Sequence, residues 1–169
     1  SPSLFEDADG TVYVLWGDGW IAPMNDEMTG SAAEPRRLRC EGLISLGHRG
    51  FHLRRIDGRY YLSAEKLIAR DGHPASDVYV AVSDSLFGPY SAPELMIPHA
   101  GQTTFVDGPD GRLLATWWGN DPRALFLERP GLVALTKPVG NRLPRLDPAW
   151  STTKPGEAFD AAAEYHASN

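Results

Sequence analysis

Short apolar runs rich in aromatic and β-branched residues recur along the chain, each halted by an Asp-Gly pair and resumed directly after it. Three units carry the pattern: SPSLFEDADGTVYVLWG around Asp9-Gly10, RGFHLRRIDGRYYLSAE around Asp57-Gly58 and QTTFVDGPDGRLLATWW around Asp110-Gly111. Asp-Gly between extended segments predicts a hairpin, because the turn needs a positive φ that glycine adopts without steric cost. The three turn glycines stand 48 and 53 residues apart, a period found in propeller blades and other β-repeats. Phe5, Leu53 and Val106 stand four residues before the turn Asp, and Tyr13, Tyr61 and Leu114 four after it, so the units share a register.

Each hairpin is followed by a weaker pair of extended segments: GWIAPMNDEMTG, DVYVAVSDSLFGPY and RALFLERPGLVAL. Two hairpins per repeat make a four-stranded unit. The pattern therefore predicts an all-β protein of three β-propeller blades, at about 1–40, 41–95 and 96–136, with a tail over 137–169 packing on the last blade. The 17 glycines and 14 prolines interrupt nearly every stretch that could be helical, leaving the Ala-rich 161–166 as the best helical segment. Propellers close with about four to eight blades, and an open edge leaves an apolar face uncovered. Three blades thus predict either further N-terminal blades or a homo-oligomer that completes the ring.

Composition narrows the partners. The 169 residues are 42% hydrophobic and 22% charged, which suits one soluble globular unit. A formal net charge of -6 gives no general attraction to phosphate backbones or anionic lipid, so nucleic acid and membrane surfaces are not expected partners. The single Cys40 excludes an intrachain disulfide and a CxxC site. No run approaches the roughly 18 apolar residues that span a bilayer. The acidic run from Glu6 to Asp9 lacks the alternating ligands of a calcium loop and reads as turn chemistry.

Over residues 1–135 the wording of the repeats resembles glycoside hydrolase family 43, five-bladed propellers that cleave arabinose, xylose and galactose linkages. The first unit is similar to that family's Asp-Pro-Ser-Leu-Phe blade opening, and IAPMNDEMTGSAAEPRRL to its outer hairpin. The second resembles the Glu-Gly-Pro-His blade with its Gly-Tyr-Tyr-Leu strand, and the third a Gly-His blade ending in a Trp-rich strand. The resemblance implies a carbohydrate ligand, a possible central calcium not firmly expected, and an extracellular or periplasmic location. It also implies three carboxyl groups: a base that activates water, an acid for the leaving oxygen and a third that tunes the acid.

Those positions are substituted. The family's base belongs to a blade with no counterpart in this sequence. Counting eight residues back from each turn Asp gives Ser1, Arg49 and Gln102, where the family pattern calls for Asp, Glu and His. A guanidinium stays protonated and cannot serve as the acid. Arg49 favours a carboxylate or sulfate on the ligand, hence a uronic or sulfated sugar, the alternative being a structural ion pair with a carboxylate. His48, beside the acid position, is the candidate catalytic group, by resemblance to the related family 117 and because histidine donates a proton near neutral pH. His52, Glu65 and Arg123 match family residues that line the pocket, hydrogen-bond behind it and face sugar, respectively. Trp16, Trp117 and Trp118 either stack on sugar or pack in the core.

The sequence thus predicts a glycoside hydrolase-like protein acting on or binding a poly- or oligosaccharide. The alternatives are a catalytically inactive sugar-binding or structural propeller fragment, and a protein-interaction propeller.

Overall fold

The computed structural model describes residues 1–70, 73–98, 100–120 and 128–147. Arg123, the 161–166 segment and most of the C-terminal tail lie outside them. Among the described residues eleven strands run β1 Ser3–Glu6, β2 Val12–Trp16, β3 Trp20–Pro23, β4 Arg36–Arg37, β5 Arg49–Ile56, β6 Arg59–Arg70, β7 His73–Ser83, β8 Glu94–Ile97, β9 Ala100–Asp107, β10 Leu113–Asn120 and β11 Glu128–Leu135. They form three antiparallel sheets, ordered β1-β2-β3-β4, β5-β6-β7-β8 and β9-β10-β11. This is an all-β, partial β-propeller. Among the described residues the third sheet has three strands, and part of the predicted RALFLERPGLVAL pair lies outside them; the β11 edge is met by residues 142–147, through a Leu135–Leu146 bridge and the Asp147 N–H to Ala134 O bond.

All three Asp-Gly turns close hairpins, but not identically. Asp57 and Gly58 are a two-residue turn between Ile56 and Arg59, both at positive φ (49° and 83°), as such tight turns require. The other two are longer: the Asp7 N–H bonds to Thr11 O, and the Gly108 N–H to Arg112 O, leaving three residues in each loop with the Asp in the middle. β6 and β7 form the longest hairpin, paired from Tyr60–Ser83 out to Arg70–His73.

The middle sheet is buried on both faces, which explains the near-continuous apolar reading of DVYVAVS. Leu62, Ala64 and Ala81 join Phe5, Leu15, Ile21, Leu38, Phe51 and Leu53 between the first and second sheets. Tyr61, Val78, Val80 and Val82 join Phe105, Leu113, Ala115, Trp117 and Val133 between the second and third. Burying each large apolar side chain contributes about 1.5–3 kcal/mol. Cys40 is buried in the first cluster, where burial pushes its thiol pKa up to about 11.

Each sheet begins with the strand that meets its neighbours: β5 stands beside β1 and β9. Ser3 Oγ donates to Phe51 O at 2.6 Å. Tyr60 OH reaches the Asp7 carboxylate at 2.9 Å, and Arg54 pairs with Asp107.

Candidate functional site

Two of the three inner strands carry the same defect near their start. On β5 the pairing steps from Arg49–Glu65 to His52–Ser63, so Gly50 and Phe51 bulge against the single Ala64. On β9 it steps from Gly101–Trp118 to Thr104–Thr116, so Gln102 and Thr103 bulge against Trp117. Gly50 (φ 62°) and Gln102 (φ 49°) are both left-handed, the first costless for glycine, the second strained for a side-chain-bearing residue. Such bulges re-aim side chains and cluster beside functional sites.

Strand register corrects the counting from the turns. Because Asp57 opens a two-residue turn while Asp9 and Asp110 sit second in three-residue loops, the β5 position matching Ser1 and Gln102 is Gly50, one residue beyond Arg49. The signal lay in the residue before each Asp: Ala8 and Pro109 belong to loops, whereas the β-branched Ile56 is still strand.

A cavity of about 140 Å³ is lined by the same three positions of each inner strand: Ser1, Pro2 and Ser3; Gly50, Phe51 and His52; Gln102, Thr103 and Thr104. It therefore gathers hydroxyls, an amide and an imidazole, with no carboxylate. Thr103 Oγ1 is buried with no hydrogen-bond partner among the described residues. The His52 ring lies 5.6 Å from that of Phe105, and burial first, then the Arg54 charge, lowers its pKa to about 4, so it is neutral at pH 7. Calcium takes about six to eight oxygens with carboxylates prominent among them. The cavity's donor set does not fit that ion, and no group of three or more His, Cys, Asp or Glu gathers among the described residues.

Arg49 and Glu65 sit behind this cavity. Glu65 is 1% exposed and its Oε1 accepts from Arg49 Nη2 at 2.7 Å and from Ser76 Oγ at 2.5 Å. Its Oε2 has no hydrogen-bond partner among the described residues. A Cβ built on Gly101 would stand 2.5 Å from that oxygen. The Arg49 side chain is half exposed at 47%. His48 is exposed and outside the cavity, its Nδ1 accepting the Leu67 N–H at 3.0 Å.

Of the residues predicted from sequence, Ser1, His52 and Gln102 come together in the cavity, and Arg49 and Glu65 pair beside it. Trp16 pairs across to Trp20 and is partly buried, Trp117 is in the core, and Trp118 is exposed. Sequence reasoning missed Ser3, Thr103 and Thr104, whose small hydroxyls carry no motif.

No protein-family profile and no curated protein matches the chain. Solved structures do. The GH43 protein BlXynB from Bacillus licheniformis, in a mutant form, matches at TM-score 0.64 and 25% identity, over 80% of this chain and 29% of its own. The Cellvibrio cellulosa alpha-L-arabinanase complexed with arabinohexaose matches at TM-score 0.71 and 18% identity, over 86% and 56%. The xylan beta-1,4-xylosidase from Bacillus halodurans matches at TM-score 0.65 and 16% identity, over 94% and 36%. The chain thus spans about a third to a half of the length of these structures.

Proposed function

We propose that this chain, a GH43-like β-propeller in fold, is a glycoside hydrolase-like protein that binds an oligosaccharide in the inner-strand cavity, with the usual catalytic positions substituted. The observation that carries this reading is the convergence of three equivalent strand positions on one cavity lined by hydroxyls, an amide and a neutral imidazole. Such groups donate to and accept from sugar hydroxyls. Glycoside hydrolysis needs two carboxyl groups across the scissile bond, and the lining supplies none. Ser3, His52, Gln102 and Thr103 are the binding groups.

Neutral sugar is favoured over uronic or sulfated sugar. A ligand anion would compete with buried Glu65 for Arg49, and stripping a buried charge of its partner costs about 3–5 kcal/mol. A second reading, hydrolysis in a site completed by a homo-oligomer, draws on the exposed Leu4 and Trp20 of the first sheet and on exposed His48 as a proton donor. On either reading the protein acts outside the cytoplasm, where polysaccharide is met.

The test is titration with arabinohexaose, xylohexaose, an oligogalacturonate and a sulfated galactan oligomer, with chromatography of each mixture. Binding of a neutral hexaose without shorter products, lost in Gln102→Ala, is the expected result. Absence of binding to all four rejects carbohydrate as the ligand, and release of shorter sugars rejects the binding-only reading.

A further inference from the structure

Both bulges that shape the cavity are braced by one side chain. Arg49 precedes left-handed Gly50 on β5, and Gly101 precedes left-handed Gln102 on β9. Glu65, on β6, is the cross-strand partner of Arg49 in backbone register and its ion-pair partner at 2.7 Å. Its other carboxylate oxygen fills the space that a side chain at Gly101 would need. Its main chain holds the same region, since the His48 N–H bonds to Glu65 O at 3.0 Å. Ser76 fixes the carboxylate from β7. A buried carboxylate is costly unless paired and hydrogen-bonded, yet this one keeps an oxygen with no hydrogen-bond partner among the described residues.

We propose that Glu65 is the positioning residue of the cavity, holding Arg49–Gly50 and Gly101–Gln102 in their bulged conformations at once. It does not line the cavity and acts through those two segments. Its position between two sheets adds a link between them, beside the direct Gly50–Gln102 approach and the Arg54–Asp107 pair. The binding consequence rests on the carbohydrate reading above; the conformational one does not.

The experiment compares wild type with Glu65→Gln and Glu65→Ala by heteronuclear NMR, following the Gly50 and Gln102 amides and the Gln102 coupling constant that reports φ, then titrating with arabinohexaose. Glu65→Ala is expected to move both amides and take Gln102 out of the left-handed region, while Asp7 and Tyr60 resonances stay in place. Glu65→Gln keeps an acceptor for Arg49 and Ser76 and is expected to restore most of the Gln102 signature. Affinity for arabinohexaose should fall about tenfold in the first variant and less in the second, a tenfold change being about 1.4 kcal/mol. A purely stabilising role would lower the melting temperature without a selective change at Gly50 and Gln102. If Glu65→Ala does not fold, the same signals are followed in Glu65→Asp, whose carboxylate stops one methylene short of Arg49 and Gly101, and an unchanged Gln102 coupling with an unchanged Gly50 amide there overturns the proposal. If wild type binds no hexaose, the carbohydrate reading fails and the two amides alone decide the role of Glu65.

Discussion

Gly50 and Gln102 meet back to back across the gap between two sheets: a Cβ placed on Gly50 would lie 3.1 Å from the Gln102 Cα, and both residues are left-handed. On the β5 side a side chain would need the Gln102 backbone to give by a few tenths of an ångström and would sit at a left-handed φ, whereas Gln102 holds its conformation at a cost of about 1–3 kcal/mol. Strain kept at a residue whose amide faces a cavity is a mark of function rather than of folding.

Gly50→Ala should therefore destabilise the protein by about 1–3 kcal/mol, combining left-handed strain with the close approach to Gln102. Gln102→Gly relieves strain and should leave stability within about 1 kcal/mol of wild type while weakening sugar binding. Urea unfolding and a hexaose titration on each variant separate the two effects.

His52 makes stability depend on pH. Its imidazole takes up a proton near 6.5 when unfolded but only near 4 when folded, held neutral by burial and by Arg54. The unfolded state thus binds more protons between those values. The contribution of His52 is fully present above pH 6.5, is lost as pH falls towards 4, and levels off below it. The slope can reach about 1.4 kcal/mol per pH unit. Urea midpoints from pH 7 to pH 4 should fall more steeply for wild type than for His52→Gln.

Trp117 and Trp118 are neighbours with opposite roles. Trp117, 1% exposed, belongs to the cluster between the second and third sheets, and its replacement by Ala should cost about 3–5 kcal/mol. Trp118, 45% exposed, should cost under about 1 kcal/mol when replaced. Equal losses in denaturant midpoint would contradict this assignment of faces.

Much of this was legible in the sequence. Asp-Gly pairs between alternating apolar runs located three hairpins, and the both-sided burial of the middle sheet is written in the unbroken apolar run from Val78 to Val82. The site was less legible. Counting from a turn assumes constant loop length, and a one-residue difference moved the matching position from Gly50 to Arg49. A bulge depends on which residue opposes two others across a ladder, and that pairing is a tertiary property. The Arg49–Glu65 pair illustrates the limit: sequence offered an anion-binding cation or an ion pair, and only the strand register sets that buried carboxylate opposite Arg49.

Sugar is expected to occupy the cavity where Ser1, Gly50 and Gln102 converge. Chemical-shift mapping of the labelled protein during titration with arabinohexaose and xylohexaose tests it most directly. Occupancy of the cavity should give saturable shifts at Ser3, Gly50, His52, Gln102 and Thr103, absent in Gln102→Ala. Shifts confined to the exposed face around Trp118 and Leu132, or none with either sugar, would contradict it.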